Sequence, residues 1–391
     1  MGELTVYGRG GLATSHFTYE PEFLYGRDGF PLNNASRLDD EPIQTRGVPM
    51  FLEDTGPDRW GKLLLQREAH AAQQGPFDDL DYITGASDLA RQGALRFKHV
   101  GGDEWLTCSG PPARLPLAEL LHAADQVEAD SADQMGAISE LVQAGSTALG
   151  GARPKASVVE PDGRLWLAKF PMRTDSRNVE AWEKTALDLA AAAGIDVPRN
   201  RLVRIGIRDA LLLARFDRDD SGDRIPYMSF RTMMNNPDDG NKPRADYNHI
   251  ARFLRARTDV DLHAFFRRTT FSVMINNTDD HLRNMGLVRR GGSWHLSPMF
   301  DVNPEQAAGD PRHTPLSGIH THIGLASALV TLGTHCGINL SGVRAHIDEV
   351  AQVIGTMPDV AAAHGLGEQD VNRQVAALET IRCHAQTPAS S

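Results

Sequence analysis

The stretch Asn276-Asn277-Thr278-Asp279-Asp280-His281-Leu282-Arg283-Asn284 carries the strongest indication of the fold. An apolar pattern with helical spacing, from Leu262 to Val273, precedes it. A short apolar strand, a Gly291-Gly292 turn and a second strand follow, before Asp301. This order predicts a buried helix, a polar loop, a β-hairpin and a second loop that carries an aspartate.

The spacing of Asp279, Asn284 and Asp301 is typical of phosphoryl transfer. An aspartate can accept the proton of an attacking hydroxyl, and an amide oxygen five residues later can bind Mg²⁺. Asp301, beyond the hairpin, supplies a carboxylate for the same metal. The Asp/Asn pair alone is a weak signal, because about one such pair arises by chance in a chain of this length. The alternative is an Asx-rich turn whose side chains cap backbone groups.

Two glycines precede a predicted hairpin strand, in the order Gly150-Gly151-Ala152-Arg153-Pro154-Lys155. Backbone amides of such a loop can line a phosphate, and Lys155 lies close in sequence. An ordinary turn is the alternative for the Gly150-Gly151 pair.

Lys169 lies in the apolar run that begins at Trp166, on the predicted strand Leu165–Phe170. A lysine in an apolar strand is costly unless it is paired. Glu183, on the predicted helix that follows, is the expected partner, and Glu180 is the competing acid. The alternative is a lysine at a strand end that reaches water.

Composition excludes several classes of protein. The chain has 391 residues, 41% hydrophobic and 23% charged, which is typical of a globular protein and not of a disordered one. The net charge of −11 argues against a broad basic face for nucleic acid. Three cysteines are too few for a disulfide scaffold. No secretory signal and no apolar run of about 18 residues is present, so we expect a cytoplasmic protein.

Two further groups of residues are expected to be structural or solvent-exposed rather than functional. His313, His320, His322 and His335 invite a metal-site interpretation, but no cysteine or carboxylate at ligand spacing accompanies them. The arginine cluster at positions 252, 255, 257, 267 and 268 is more typical of a solvated helix face than of a nucleic-acid site.

Five segments of the chain closely resemble the HipA-like serine/threonine kinases, which are toxins of bacterial toxin–antitoxin modules. The segments are residues 149–156, 167–171, 214–218, 277–284 and 298–301. The resemblance implies an α+β, protein-kinase-like two-lobed fold with an extra N-terminal small subdomain and a mostly helical C-lobe. The expected domains are 1–135 for the N-terminal subdomain, 136–217 for the kinase N-lobe and 218–391 for the C-lobe.

The resemblance also implies a role for each candidate residue. Asp279 would be the catalytic aspartate, and Asn284 and Asp301 would hold Mg²⁺. The residues implied to bind ATP are Gly150, Gly151, Lys155, Lys169, Glu183 and His281. The segment Ala214–Phe216 would be the hinge that binds adenine, with Asp217 near the ribose.

The implied activity is transfer of the ATP γ-phosphate to a serine or threonine of a protein, which in some relatives is an aminoacyl-tRNA synthetase. The implied partner is a small helix-turn-helix antitoxin, through which the toxin reaches DNA indirectly. Two alternatives remain open. One is a kinase of the same fold that acts on a small molecule or lipid, and the other is a catalytically idle co-repressor that binds such an antitoxin.

Two positions depart from the family pattern. Ala148 stands where relatives often carry a serine whose autophosphorylation switches the enzyme off. Either Ser146 or Thr147 is the acceptor instead, or this protein lacks the switch. Asp280 stands where relatives frequently have glycine. A carboxylate there either raises the pKa of Asp279 or is solvated and silent.

Overall fold

The computed structural model describes residues 1–27, 29–32, 38–107, 116–131, 134–148, 150–236 and 245–386. Cys108 lies outside these ranges, and so does Leu149, the first residue of the Gly-rich segment. Helices and strands are mixed along the chain. The chain divides into two compact units. The first contains Met1–Thr174, Ile205–Met228 and Thr232–Pro237, and the second contains Asp175–Arg204, Ser229–Arg231 and Asp238–Ser391.

The first unit begins with a small antiparallel sheet followed by helices. The sheet consists of β1 (Gly2–Tyr7), β2 (Thr14–Tyr19) and β3 (Ile43–Arg46), with β2 in the middle. The helices are α1 (Pro21–Leu24), α2 (Met50–Glu53), α3 (Arg59–Ala71), α4 (Asp79–Gly85), α5 (Leu117–Glu128) and α6 (Gln134–Gln143). The Asp58 carboxylate accepts a hydrogen bond from the Arg59 N–H, which begins α3. Trp60 and Leu64 of α3 are buried in the core.

The first unit also contains antiparallel strands of a second sheet. Strand β4 (Lys155–Val159) pairs with β5 (Leu165–Lys169), which confirms the predicted hairpin. The turn between them uses Gly163, whose φ of +81° is readily adopted only by glycine. After α7 (Val179–Ala192) and β6 (Asn200–Ile205), strand β7 (Arg208–Ala214) pairs with the other side of β5.

Helix α7, the predicted helix that carries Glu183, lies in the second unit and has clear local signals at both ends. The Asn178 side chain accepts a hydrogen bond from the Ala181 N–H, 3.1 Å away, and caps the helix. Gly194, with a φ of +75°, follows its end. Two short elements, β8 (Tyr227–Ser229) and α8 (Phe230–Met233), lie where the chain passes between the units.

The rest of the second unit is mainly helical. Its helices are α9 (Tyr247–Arg257), α10 (Leu262–Met274), α11 (Leu325–His335), α12 (Leu340–Ile354), α13 (Met357–Ala363) and α14 (Glu368–Gln386). The predicted hairpin between the two loops is present as β9 (Gly286–Arg290) and β10 (Ser293–Leu296). Phe265, Phe266 and Phe271 of α10 are completely buried. The loop with Asp279 therefore begins at the end of a core helix.

Within the described part of the chain, no helix is both long enough and apolar enough to cross a membrane.

Candidate active site

The loop with Asp279 and Asn284 is closed by hydrogen bonds to one carbonyl. The N–H of His281 donates to the Asp279 backbone carbonyl at 2.8 Å, and the side-chain amide of Asn284 donates to the same oxygen at 3.1 Å. The N–H of Asn284 donates to the His281 carbonyl at 2.8 Å. These bonds hold Asp279 and Asn284 at a fixed separation at the two ends of one tight turn.

The loop that carries Asp301 is bound directly to the start of the first loop. The N–H of Asn303 donates to the Asn277 side-chain oxygen at 3.4 Å, and the N–H of Glu305 donates to the Asn276 carbonyl at 3.0 Å. Asn276 and Asp301 both have left-handed backbones, with φ of +60° and +57°. Asparagine tolerates this conformation better than most residues. That preference was the available signal for Asn276, a residue for which no role was predicted.

The carboxylate of Asp279 is exposed but electrostatically perturbed. Partial desolvation by surrounding protein atoms is the largest influence and raises its pKa. The charge of His281 lowers the pKa, that of Asp301 raises it, and those of His313 and Asp280 act in opposite directions with smaller effect. The net result is a raised pKa. The structure therefore places Asp301 close enough to Asp279 for the two negative charges to interact.

Asn284 and Asp301 fit the chemistry of a magnesium site. Mg²⁺ prefers oxygen ligands and is commonly bound by one or two protein carboxylates together with substrate phosphates. The Asn284 amide nitrogen is engaged by Asp279, and no donor in the described part of the chain reaches its Oδ1 atom. A cation there would also relieve the repulsion between Asp279 and Asp301. The described residues contain no cluster of three or more His, Cys, Asp or Glu side chains able to bind a metal by themselves.

Asp280 points away from solvent into the second unit. Its Oδ2 atom accepts hydrogen bonds from the Tyr247 hydroxyl at 2.5 Å and the Ser272 hydroxyl at 2.6 Å. The Thr314 hydroxyl donates to its backbone carbonyl at 2.6 Å. Burial and the Asp280 charge raise the pKa of Tyr247 well above its usual value, so this donor keeps its proton. Of the two alternatives for Asp280, the solvated and silent one is wrong, because only 4% of the residue is exposed. Its charge is instead one of the smaller influences that raise the pKa of Asp279.

A second histidine lies beside the loop. The N–H of His313 donates to the Thr278 carbonyl at 2.7 Å, and its ring meets that of His281 edge-on at 5.8 Å. His320 and His322 each contact a backbone carbonyl through Nδ1, those of Arg312 and Ala308. The long separation of His313 from His281 in sequence left no pattern that could have revealed their contact.

Arg268 of α10 forms hydrogen bonds to the end of the loop that carries Asp279 and Asn284. Its guanidinium donates to the carbonyl of Ser297 at 2.7 Å and to that of Asn284 at 3.2 Å. Only 4% of Arg268 is exposed. The predicted solvated arginine face is therefore wrong at this position, because the side chain binds carbonyls at the two ends of the β9–β10 hairpin.

In the first unit, the Gly-rich loop is tied to α3. The N–H of Gly151 donates to the Asp58 carboxylate at 3.3 Å, and the Lys155 ammonium donates to the Gly150 carbonyl. Gly151 has a φ of +96°, and a Cβ atom there would collide with the Lys155 ammonium. Glycine is therefore favoured at position 151 by its backbone conformation, whereas the flexible Lys155 ammonium could move aside for a larger residue.

Ser146 and Thr147 are completely buried. The Ser146 hydroxyl donates to the Lys155 carbonyl at 2.5 Å, and the Thr147 hydroxyl accepts from the Ser87 N–H at 3.3 Å. Phosphorylation of either hydroxyl, which stays a prediction, would require this segment to open.

Lys169 is buried at the end of β5, directly opposite Lys155 of β4 in the strand register. Glu180 and Glu183 are both buried on α7. The pairing of Lys169 with Glu183 stays a prediction.

The predicted hinge leads into a buried ion-pair cluster. Ala214 ends β7, and the ring of Phe216 lies 5.7 Å from that of Tyr227.

Asp217 accepts hydrogen bonds from Arg215, Arg218 and the Gly93 N–H, at 2.6, 2.9 and 2.7 Å to Oδ2. Burial opposes ionisation, but the charges of Arg215 and Arg218 outweigh it and lower the pKa of Asp217 to about 2. The carboxylate thus has a structural role, and a contact with ribose would have to compete with these donors. The contact with ribose remains a prediction.

Two family models match the chain. The HipA-like C-terminal domain matches residues 147–357, and the HipA N-terminal domain matches residues 1–97. A Sinorhizobium fredii protein named "Putative kinase Y4dM" is 28% identical over 217 residues, which are 48% of this chain and 52% of that protein. A Haemophilus influenzae protein named "Putative kinase" is 29% identical over 134 residues, which are 30% of this chain and 39% of that protein. The chain thus spans about half the length, or less, of these curated relatives.

The fold is similar to that of a chain in the solved complex of the Shewanella oneidensis toxin–antitoxin system proteins HipA and HipB with operator DNA. The TM-score is 0.68 at 16% identity, and the match covers 98% of this chain and 94% of that one. Identity this low shows a shared fold and nothing more. The family models show more than the fold, because the model of the C-terminal domain alone matches more than half of the residues in the chain. The chain belongs to the HipA-like family.

Proposed function

We propose that the protein is an ATP- and Mg²⁺-dependent serine/threonine protein kinase and the toxin of a type II toxin–antitoxin module. The observation that carries the proposal is the joined pair of loops with Asp279, Asn284 and Asp301. An Asx-rich turn with a purely structural role would not explain why Asn284 Oδ1 accepts no hydrogen bond in the described part of the chain while the charges of Asp279 and Asp301 interact. The relatives named as kinases support the same reaction class.

Each residue has a defined task in this proposal. Asp279 orients the acceptor hydroxyl and takes its proton as the oxygen attacks the γ-phosphate. Its raised pKa makes it a better base than an ordinary aspartate. Bound Mg²⁺, held by Asn284 and Asp301, would neutralise phosphate charge. Lys169 contacts the phosphates, and the backbone of Gly150 and Gly151 approaches them.

The proposed partners follow from family membership and charge. The similar solved complex contains HipB and operator DNA, which supports an antitoxin partner for this chain. We place the helix-turn-helix motif in that partner, because a net charge of −11 disfavours direct contact with DNA. The substrate is a protein, with an aminoacyl-tRNA synthetase as the first candidate.

The test is transfer of labelled phosphate from Mg-ATP to a bacterial proteome extract, with intact-mass analysis of the protein itself. Wild type and Asp359→Asn, an exposed control carboxylate on α13, should label a discrete protein band. Asp279→Asn should not. Labelling of only small molecules or lipids would favour a metabolite or lipid kinase. ATP binding without any turnover would replace the kinase with an idle co-repressor.

A further inference from the structure

One carboxylate on α14 joins two parts of the second unit. The indole N–H of Trp182 on α7 donates to Asp370 Oδ2 at 2.7 Å, and the side-chain amide of Gln306 donates to Asp370 Oδ1. Trp182 directly precedes Glu183, and Gln306 lies five residues after Asp301. Asp370 therefore bridges the helix that carries Glu183 and the segment that carries Asp301.

The next turn of α14 contacts the same segment. The Gln374 side-chain amide donates to the Glu305 carbonyl at 3.0 Å, and Gln374 is completely buried. The Asn276 side-chain amide donates to the same carbonyl at 2.7 Å. Glu305 is thus held between α14 and the loop that leads to Asp279.

A third contact closes the arrangement from the start of α7. The Arg177 guanidinium donates to the Pro304 carbonyl at 2.6 Å and lies 5.5 Å from the centre of the Trp182 ring. Pro304, Glu305 and Gln306 are therefore each bound by a side chain from outside their own segment. Such support is needed, because Asp301 has a left-handed backbone that costs free energy for a residue other than glycine.

We propose that Asp370 is a positioning residue, which holds the Asp301 segment and α7 in register through its two carboxylate oxygens. The proposal rests on the kinase function for its catalytic consequence, but its structural content is independent of turnover. A carboxylate suits this task because each of its oxygens accepts a charge-assisted hydrogen bond. Neither neighbouring element can supply the bridge, since each contributes a donor.

The experiment compares four variants by hydrogen–deuterium exchange of the full chain without nucleotide. Asp370→Ala removes both acceptors, Gln306→Ala and Trp182→Phe each remove one donor, and Asn372→Ala is the control, an exposed residue two positions along α14. We expect Asp370→Ala to speed exchange at least about fivefold in both 300–308 and 179–192. Gln306→Ala should affect only the first segment, Trp182→Phe only the second, and the control neither.

Activity supplies a second readout. Asp370→Ala should lower kcat about tenfold and raise the Mg²⁺ concentration for half-maximal rate, with little change in KM for the protein substrate. Asp370→Glu should restore part of the loss. Unchanged exchange in both segments of Asp370→Ala, with wild-type kcat, would overturn the proposal. If Asp370→Ala folds poorly, the two single-donor variants test the same bridge, and unchanged exchange in both of them would overturn it. If the wild-type protein has no kinase activity but Asp370→Ala still exchanges faster in both segments, the proposed function is refuted and the bridge stands.

Discussion

The side-chain amide of Asn284 donates a hydrogen bond to the backbone carbonyl of Asp279, 3.1 Å away. This contact links the proposed base to the proposed metal ligand without using the functional oxygen of either residue. Asp279 stays exposed, and Asn284, although buried, accepts no hydrogen bond at Oδ1 from the described part of the chain. The residue proposed to bind the metal therefore also shapes the turn that presents the proposed base.

Replacement of Asn284 should separate these two tasks. Asn284→Ala removes the hydrogen bond and the metal ligand, so we expect phosphoryl transfer to fall at least about 100-fold. Asn284→Asp keeps an oxygen ligand but lacks the N–H donor, and should retain more activity at high Mg²⁺. Initial rates over a magnesium titration provide the measurement. Equal magnesium dependence in Asn284→Asp and wild type would contradict a metal-binding role.

Asn276 should be sensitive to substitution through its backbone. Its side chain donates to the carbonyls of Glu305 and Ala307, and its φ is +60°. Asn276→Gly removes the donors and tolerates the backbone, so we expect it to cost about 1–3 kcal/mol in the free energy of unfolding. Asn276→Ala adds left-handed strain of about 1 kcal/mol. Urea unfolding of both variants checks the order, and an alanine variant more stable than the glycine variant would refute it.

Tyr247 and Ser272, the two hydroxyl donors to Asp280, should make coupled contributions to the free energy of unfolding. Tyr247→Phe and Ser272→Ala each leave Asp280 Oδ2 with one hydroxyl donor, and each should cost about 1–2 kcal/mol in stability. The double variant leaves that oxygen with neither hydroxyl and should cost clearly more than the sum. Thermal unfolding and urea unfolding of the four proteins measure this coupling. Strict additivity would show that the two hydroxyls act independently.

The lowered pKa of Asp217 leads us to expect that the first unit loses stability in acid. Its pKa of about 2 in the folded protein lies below the ordinary value near 4, so the folded state binds fewer protons than the unfolded state between these values. The contribution, about 2 kcal/mol, is therefore complete above about pH 4 and is lost as the pH falls towards 2. At pH 7, Asp217→Asn should cost about 3 kcal/mol, because Arg215 and Arg218 lose their buried counter-charge.

The measurement is the unfolding free energy of wild type and Asp217→Asn at pH 7, 4 and about 2.5. The difference between them should shrink at the lowest pH. A constant difference would mean that Asp217 is not the titrating group, and Asp359→Asn on α13 serves as the exposed control.

Local patterns predicted the elements correctly where the chemistry is local. The β4–β5 hairpin depends on a turn between two apolar strands, and α7 depends on the Asn178 cap and the Gly194 end, all within a few residues of each other. The loop from Asn276 to Asn284 was predicted for the same reason, since it follows one amphipathic helix and precedes one hairpin. Short-range hydrogen bonds and side-chain periodicity carry these features.

Interactions between residues distant in sequence were not predictable in this way. Asp280 meets Tyr247, and Trp182 meets Asp370, through packing of helices that no sequence period connects.

The sequence by itself therefore determined which residue types stand in the two loops and which local elements present them. Only the tertiary structure decided that Asp280 turns inward, that Asp217 is occupied by arginines, and that α14 supports the Asp301 segment. The physical reason is that a polar side chain is directed by the donors and acceptors that surround it after packing, and these come from distant parts of the chain.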